Sequence, residues 1–261
     1  MRILLVNDDG ISSKGLWALA HAASSRGHRV FICAPSSQQS AASQRITLAD
    51  PIYVSPYPSD DPNITAYAIV GTPTDCVRLG LYDLVKEPVD VVISGINDGY
   101  NAGMAVYYSG TVSAAREGAL NHLHAIAVSI AYRAPQEMID HLAEYAVETA
   151  EKYIVLTLPP ATVLSINAPR RDADMLKPPA FAPLSTANFL DTYIRRESPR
   201  AGMYYWLDSG ALTEPYSESS DQDLLDKGHI TLTLIGNYTD HNEKYHDFIR
   251  ACQSTPKLGS P

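Results

Sequence analysis

Apolar residues in the first two-thirds of the chain come in short unbroken runs, and stretches with a helical rhythm separate them. Ile3–Val6 and Arg29–Ala34 are each a near-continuous apolar run of strand length, the pattern of a strand covered on both faces. Val89–Ser94, Ala125–Ile130 and Val163–Asn167 repeat it, and Ile52–Val54 and Ile64–Val70 predict two shorter strands. Leu16, Leu19, Ala20 and Ala23 recur at helical spacing until Gly27 stops them. A second helix, opening at Thr74 or Asp75, carries Val77, Leu79, Leu81 and Leu84. Thr111–Leu123 and Glu137–Tyr153 predict two more, and in the latter Glu137, Asp140, His141, Glu144, Glu148 and Glu151 form the polar face. Buried strands alternating with helices predict an α/β fold: a Rossmann-like three-layer core with a mostly parallel sheet. Such sheets bind ligands beyond the carboxyl ends of their strands. Three polar segments fall there: Asn7–Gly10, Ser36–Ser43 and Ser94–Gly103.

From about Pro169 the texture changes. Pro178, Pro179 and Pro183, three arginines (Arg195, Arg196, Arg200) and many tyrosines replace the alternation, and one clear strand returns at Ile230–Ile235. The expected division is an α/β core over residues 1–170 and a strand-rich extension over 171–261, which caps the site or joins subunits. Charge then excludes one class of partner. The chain carries a net charge of −9, which repels a polymer of phosphates. Residues 1–130 hold 8 basic and 11 acidic side chains, so the excess lies mainly in the second half. The three cysteines, Cys33, Cys76 and Cys252, form no C-x-x-C pair and indicate neither a zinc ribbon nor a redox dithiol. No run approaches the ~20 apolar residues of a membrane span, and the N-terminal run is too short for a signal segment. No membrane partner and a cytoplasmic location are therefore expected.

Two clusters carry chemistry. Asp8 and Asp9 stand side by side at a strand end and repel each other unless a proton or a cation lies between them. Either one also suits the cap of the following helix. Ser40 and Asn97, from two other loops of the same sheet edge, offer neutral hard oxygens. Together the four suit Mg²⁺ or Mn²⁺ and not zinc. Tyr108-Ser109-Gly110-Thr111-Val112 opens a helix, and free N–H groups with two hydroxyls bind phosphate there without a lysine. An ordinary Ser or Thr N-cap is the competing reading. Asn101 is a further donor toward the same phosphate, and Ser43 lies near the metal loop. No G-x-x-x-x-G-K-[ST] or G-x-G-x-x-G occurs, so neither an NTPase nor a dinucleotide site is signalled. His122 and His124 flank Leu123 with no third soft ligand nearby, which favours a surface or helix-end role. Asp240, His241, Asn242, Glu243, His246 and Asp247 form a polar tail. Tyr204, Tyr205 and Trp206 suit either base stacking or an interface.

The motifs, in order, resemble the SurE family of stationary-phase survival proteins, metal-dependent 5′-nucleotidases. The likeness rests on Arg2–Leu5 with Asn7–Gly10, Ala34-Pro35 with Ser40 and Ser43, and Gly71–Val77. Ser94–Asn97 with Gly99 and Asn101, and Tyr108–Val112, complete it. Val6 stands where Ser or Thr is frequent and Ala41 where Gly is usual, and neither removes a ligand. The resemblance implies one divalent cation per subunit (Mg²⁺ or Mn²⁺) held by Asp8, Asp9, Ser40 and Asn97. It also implies phosphate contacts from Asn101, Ser109, Gly110 and Thr111, and a homodimer or homotetramer joined through the C-terminal part. The implied substrate is a nucleoside monophosphate, hydrolysed with Asp9 as the favoured base. Cleavage of 3′-nucleotides or polyphosphate is a further activity that these motifs leave open. A non-catalytic nucleotide-binding or regulatory protein retaining the fold is the alternative, and the presence of all four ligands favours the enzyme.

Overall fold

A computed structural model describes residues 1–155, 159–171, 175–187, 191–208 and 215–236 of the chain. The chain opens with β1 (Arg2–Val6), α1 (Lys14–Ser25), β2 (Arg29–Pro35), β3 (Tyr53–Tyr57), β4 (Ile64–Val70) and α2 (Pro73–Leu79). It continues through β5 (Val91–Asp98), α3 (Gly110–Leu120), β6 (His124–Ile130), α4 (Gln136–Tyr153) and β7 (Val163–Ala168). β8 (Lys177–Phe181), β9 (Thr192–Ser198), β10 (Gly202–Asp208), α5 (Asp221–Asp226) and β11 (His229–Ile235) follow. Nine strands form one sheet in the order β3-β4-β2-β1-β5-β6-β7-β11-β8, parallel except for the β3–β4 and β7–β11 pairs.

β1 lies in the middle of this sheet, and its alternation sorts the core. Successive side chains of a strand point to opposite faces. Ile3 and Leu5 join Leu16 and Leu19 of α1 and Leu142 and Ala146 of α4 on one face. Leu4 and Val6 join Cys76 and Val77 of α2 and Ala114 of α3 on the other. All of these side chains are buried. Carried past the end of β1, the same alternation sends Asp8 toward α3 and Asp9 toward α1, which separates the two carboxylates onto different walls of the site.

Several boundaries differ from the sequence expectation. The helix expected from Thr74 or Asp75 starts earlier, because Thr72 and Asp75 form a reciprocal capping box around Pro73. It then widens into a π turn over Gly80–Leu84, closed by the Val85 N–H on the Gly80 carbonyl. β5 does not stop at Ser94. It shifts register there and runs on to Asp98, pairing Asn97 with Ser129 and Asp98 with Ile130. β3 lies at Tyr53–Tyr57 and not at Ile52–Val54. It is an edge strand, which is why Pro56 is tolerated inside it. α3 runs Gly110–Leu120, one residue earlier at its start and three shorter at its end, where the Asn121 N–H turns back onto the carbonyls of the last turn.

Beyond residue 170, β8 and β11 add to the sheet of the core, with β11 inserted between β7 and β8. Among the described residues, β9 and β10 pair only with each other, in register from Gly202↔Ser198 to Asp208↔Thr192. Among the described residues no helix is long and apolar enough to cross a membrane. Cys33 and Cys76 are buried free thiols, and burial pushes the Cys33 thiol up to about 12. Cys252 and the polar tail from residue 237 lie outside the described residues.

Candidate active site

The turn after β1 begins with Asn7, whose amide closes on Gly10 from both sides: Nδ2 donates to the Gly10 carbonyl at 2.9 Å, and Oδ1 accepts the Gly10 N–H at 3.1 Å. Gly10 has φ +101°, a conformation that favours glycine. This tight turn fixes Asp8 and Asp9 at the carboxyl edge of the sheet.

Asp8 is buried and lies against the first turn of α3. The Thr111 hydroxyl donates to its Oδ1, and the backbone of Gly110 and Thr111 faces the same carboxylate. Gly110 is required by this approach, since a Cβ there would lie 2.8 Å from Asp8 Cβ and 2.9 Å from Oδ2. A helix N-terminus favours an anion. Even so, burial outweighs these donors and raises the Asp8 carboxyl above its ordinary range. Asp9 is half-buried, and its Oδ2 accepts the Asp98 N–H at 3.2 Å. Burial first, then the charge of Asp8 and that of Asp98, push it up to about 6.

The other expected metal ligands reach this pair through their neighbours. The Gln39 N–H donates to the Asp8 carbonyl at 2.7 Å, which brings the turn bearing exposed Ser40 to the end of β1. Ser43 anchors the same loop, with its hydroxyl on the Tyr107 carbonyl (2.9 Å) and its N–H on the Tyr108 carbonyl (3.2 Å). Asn97 sits at the end of β5, one residue from the N–H that meets Asp9. Its Nδ2 donates to the Gly99 carbonyl at 2.7 Å, which leaves Oδ1 as the acceptor turned elsewhere. Among the described residues no three His, Cys, Asp or Glu side chains cluster to hold a metal. The donor set here is instead two carboxylates with neutral oxygens. Such hard donors, with two carboxylates whose pKa values are both raised by burial, fit a magnesium-class cation that would offset their charge.

The expected phosphate residues surround the next segment. Ser109 is the N-cap of α3, its Oγ accepting the Val112 N–H at 3.0 Å, so the capping role is real. A hydroxyl that accepts still has its proton to donate. Thr111 turns both its hydroxyl and its backbone N–H toward Asp8. Asn101 is buried and held from three directions. Its N–H donates to Asn167 Oδ1 (2.9 Å), its carbonyl accepts from Asn167 Nδ2 (3.1 Å), and its Nδ2 donates to Ser129 Oγ (2.9 Å). Two residues on, the Gly103 N–H donates to Asp221 Oδ2 at 2.7 Å. The other oxygen of Asp221 accepts the N–H groups of Ser185 (2.8 Å) and Gln222 (2.9 Å). A carboxylate from beyond residue 170 thus ties down the turn that follows Asn101.

Sequence reasoning missed Asn167, Ser129, Asp221 and Asp98. Their signal was only a polar residue inside or beside a buried run. It also missed how Gly71–Val77 serves the site. Asp75 accepts the Thr47 N–H (2.9 Å) and hydroxyl (2.7 Å), and Thr72 donates to the Arg45 carbonyl (2.6 Å), pinning the end of the loop that carries Ser40. Arg78 and Gln44 converge on buried Glu117 of α3 and fasten the same loop again. His122 and His124 lie at the opposite edge of the sheet, where the His124 ring stands edge-on to Tyr153. Arg195, Arg196 and Arg200 belong to the exposed β9–β10 hairpin, where Arg195 pairs with Glu197 at 3.1 Å. The structure brings none of these five residues to the Asp8–Asp9 edge.

The family model described as "Survival protein SurE" matches residues 3–190. "5′-nucleotidase SurE" of Maridesulfovibrio salexigens is 41% identical over 244 residues, covering 92% of this chain and 95% of the relative. The protein of that name from Desulfovibrio desulfuricans is 39% identical over 246 residues, with the same coverage. The solved structure of the SurE protein from Aquifex aeolicus superposes with a TM-score of 0.79 at 27% identity, covering 97% of this chain and 100% of that one. With the motifs in order, the fold matched and most of the length aligned, the chain belongs to the SurE family.

Proposed function

We propose that the protein is a phosphomonoesterase that hydrolyses nucleoside 5′-monophosphates to nucleoside and phosphate. The observation that carries this reading is the buried Asp8 carboxylate seated against Gly110 and Thr111 at the start of α3, with Asp9 beside it. The relatives named above carry the name of that activity over nearly their whole length.

Asp8, Asp9, Ser40 and Asn97 are the residues to hold one Mg²⁺ or Mn²⁺ per subunit. When bound, the ion supplies the positive charge that an acidic protein needs to accept and activate a phosphate. Asn101 and the Ser109–Thr111 segment bind and orient the phosphoryl oxygens. Water attacks phosphorus, a new phosphorus–oxygen bond forms, and the bond from phosphorus to the nucleoside oxygen breaks. Asp9, half-buried beside Asp8 at the carboxyl edge of the sheet, is the residue assigned to take the proton that the water loses. The departing nucleoside oxygen takes up a proton from solvent water as it leaves, and Asp9 returns its own proton to solvent, so the protons balance.

Residues 171–261 serve as the extension that joins subunits. Tyr193, Ile194, Tyr204, Tyr205 and Trp206 all stand exposed on the β9–β10 hairpin, an apolar surface of the kind that marks an interface. Sedimentation of a Trp206→Asp variant tests this, with a shift toward monomer expected.

The activity itself is tested by phosphate release from a panel of 5′- and 3′-mononucleotides with Mn²⁺, Mg²⁺ or EDTA. Release from 5′-nucleotides that EDTA abolishes and Mn²⁺ restores is expected. An Asp9→Asn variant that keeps full activity would overturn the site assignment, and no metal-dependent release from wild type would overturn the enzyme reading.

A further inference from the structure

The turn joining β3 to β4 immediately precedes β4, so it lies at the amino ends of the parallel strands, whereas Asp8 and Asp9 lie at the carboxyl ends. It meets α1 around a hollow of about 630 Å³, within the roughly 300–1,000 Å³ of small-molecule sites. Three rings make the walls. Trp17 and His21 stand one turn apart on α1 with centroids 5.8 Å apart, and Tyr57, the last residue of β3, comes from the other side to 5.9 Å from Trp17. The two pairs are tilted at 41° and 39°, so the rings bound a concave space.

The indole is fixed in place. Its Nε1 donates to the Ile11 carbonyl at 2.7 Å, and Trp17 and Tyr57 both rest partly buried against the core. The rings are therefore set before a ligand arrives, which lowers the ordering cost of binding. The turn supplies the charge, because Asp60 and Asp61 line the same hollow. Hydrogen bonds from Ser24 and from the Asn63 N–H (2.9 Å) hold the Asp61 carboxyl below its ordinary range. Asp60 is exposed and, among the described residues, has no hydrogen-bond or ion-pair partner. Arg29 turns its guanidinium to the Pro62 carbonyl and the Thr65 hydroxyl and does not line the hollow.

We propose that this hollow binds a small organic cation whose charged nitrogen is alkylated, of the quaternary ammonium class. Ring faces attract such an ion through their quadrupole, and it has no N–H to leave unsatisfied. A bare ammonium brings three donors, and here rings form most of the wall while Asp61 already accepts from Ser24 and Asn63. The carboxylates beside the rings supply the balancing charge. None of the lining residues is a proposed metal or phosphate ligand, so the site stands independently of the phosphomonoesterase reading.

The probe is choline, titrated at pH 8, where histidine side chains are in general neutral, with the broadening of its methyl NMR signal as the readout. Saturable binding to wild type is expected, roughly tenfold tighter than that of 3,3-dimethyl-1-butanol, which keeps the shape without the charge. Ethanolamine, which keeps the charge without the methyl groups, should also bind more weakly. Tyr57→Leu should weaken choline binding about fivefold and Asp60→Asn, at a surface position, about threefold. Asp50→Asn, an exposed acid outside the hollow, is the control that keeps wild-type affinity. Choline that fails to saturate wild type, or an affinity unchanged in both hollow variants, overturns the site. Equal binding of the neutral alcohol reduces it to an apolar hollow, and equal binding of ethanolamine removes the alkylated class. A trimethyllysine peptide that binds about tenfold tighter than choline assigns the hollow to a protein partner, and each of these three results also overturns the proposal.

Discussion

Asp221 is 1% exposed, and three backbone N–H groups converge on its two oxygens. Asp221→Asn keeps the shape but replaces one oxygen by an NH₂ group. Turned one way, the amide loses the Gly103 bond; turned the other, it loses those to Ser185 and Gln222. In either case a buried donor faces a donor. Losing one charge-assisted bond costs about 1.5–3 kcal/mol, and leaving an N–H unsatisfied adds about 1–3 kcal/mol before the surroundings relax. A net loss of about 2–4 kcal/mol is expected, which for a chain of this size lowers Tm by about 5–15 °C. Because Gly103 follows Asn101 by two residues, freeing it also loosens a phosphate-binding residue, and a displacement of about 1 Å is enough to cost about a hundredfold in rate. The assay is scanning calorimetry together with kcat/KM measured well below the new Tm, where at least a tenfold loss is expected. A Tm within 1–2 °C of wild type would refute the hydrogen-bond reasoning (a shift that small is under about 1 kcal/mol). A lowered Tm with full activity would confine Asp221 to stability and sever its link to the site.

Other perturbations test other parts of the frame. Gly110→Ala places a Cβ against the Asp8 side chain, so about 1–3 kcal/mol of overpacking and at least a tenfold loss of metal-dependent phosphate release are expected, with circular dichroism confirming the fold. Burial opposes ionisation of Asp75, but hydrogen bonds from Thr47 and Thr72 overcome it and hold the carboxyl below its ordinary range. A depressed carboxyl stabilises the fold above its unfolded pKa of about 3.9 and loses that contribution as pH falls through the folded value. Urea melts of wild type and Asp75→Asn should therefore differ at pH 7 and converge as the pH is lowered from about 4 toward 2. Arg78→Ala strips buried Glu117 of a partner at 2.9 Å, and because Arg78 is largely exposed the expected loss is only about 1–2 kcal/mol by urea titration. Glu117→Gln in the same background should recover part of it.

The centre of the sheet was legible because burial on both faces writes itself as unbroken apolar runs, and β1, β2, β4, β6 and β7 lie where those runs are. The end of β5 was not. Gly95, Asn97 and Asp98 read as loop residues, and only pairing with β6 across a register shift makes them a strand. β8 was hidden by Pro178 and Pro179, which an edge strand with a single partner accommodates. In the site, Asp8, Asp9 and the Ser109–Thr111 turn announced themselves by chemistry that is costly without a ligand. Asn167 and Asp221 did not, because their partners lie 66 and 118 residues away and each is one polar residue among many until the chain folds.

The insertion of β11 between β7 and β8 also orders events in time. A chain made from its N-terminus completes β7 at Ala168, yet the strand that covers the outer edge of β7 ends at Ile235, 67 residues later. At about 5–20 residues per second the edge stays bare for roughly 3–13 s of synthesis. β8, already made, does not fill that gap, because its own place lies beyond β11. A bare edge is a template for another chain. Translation that stops before residue 229 therefore yields an aggregating fragment rather than a smaller enzyme.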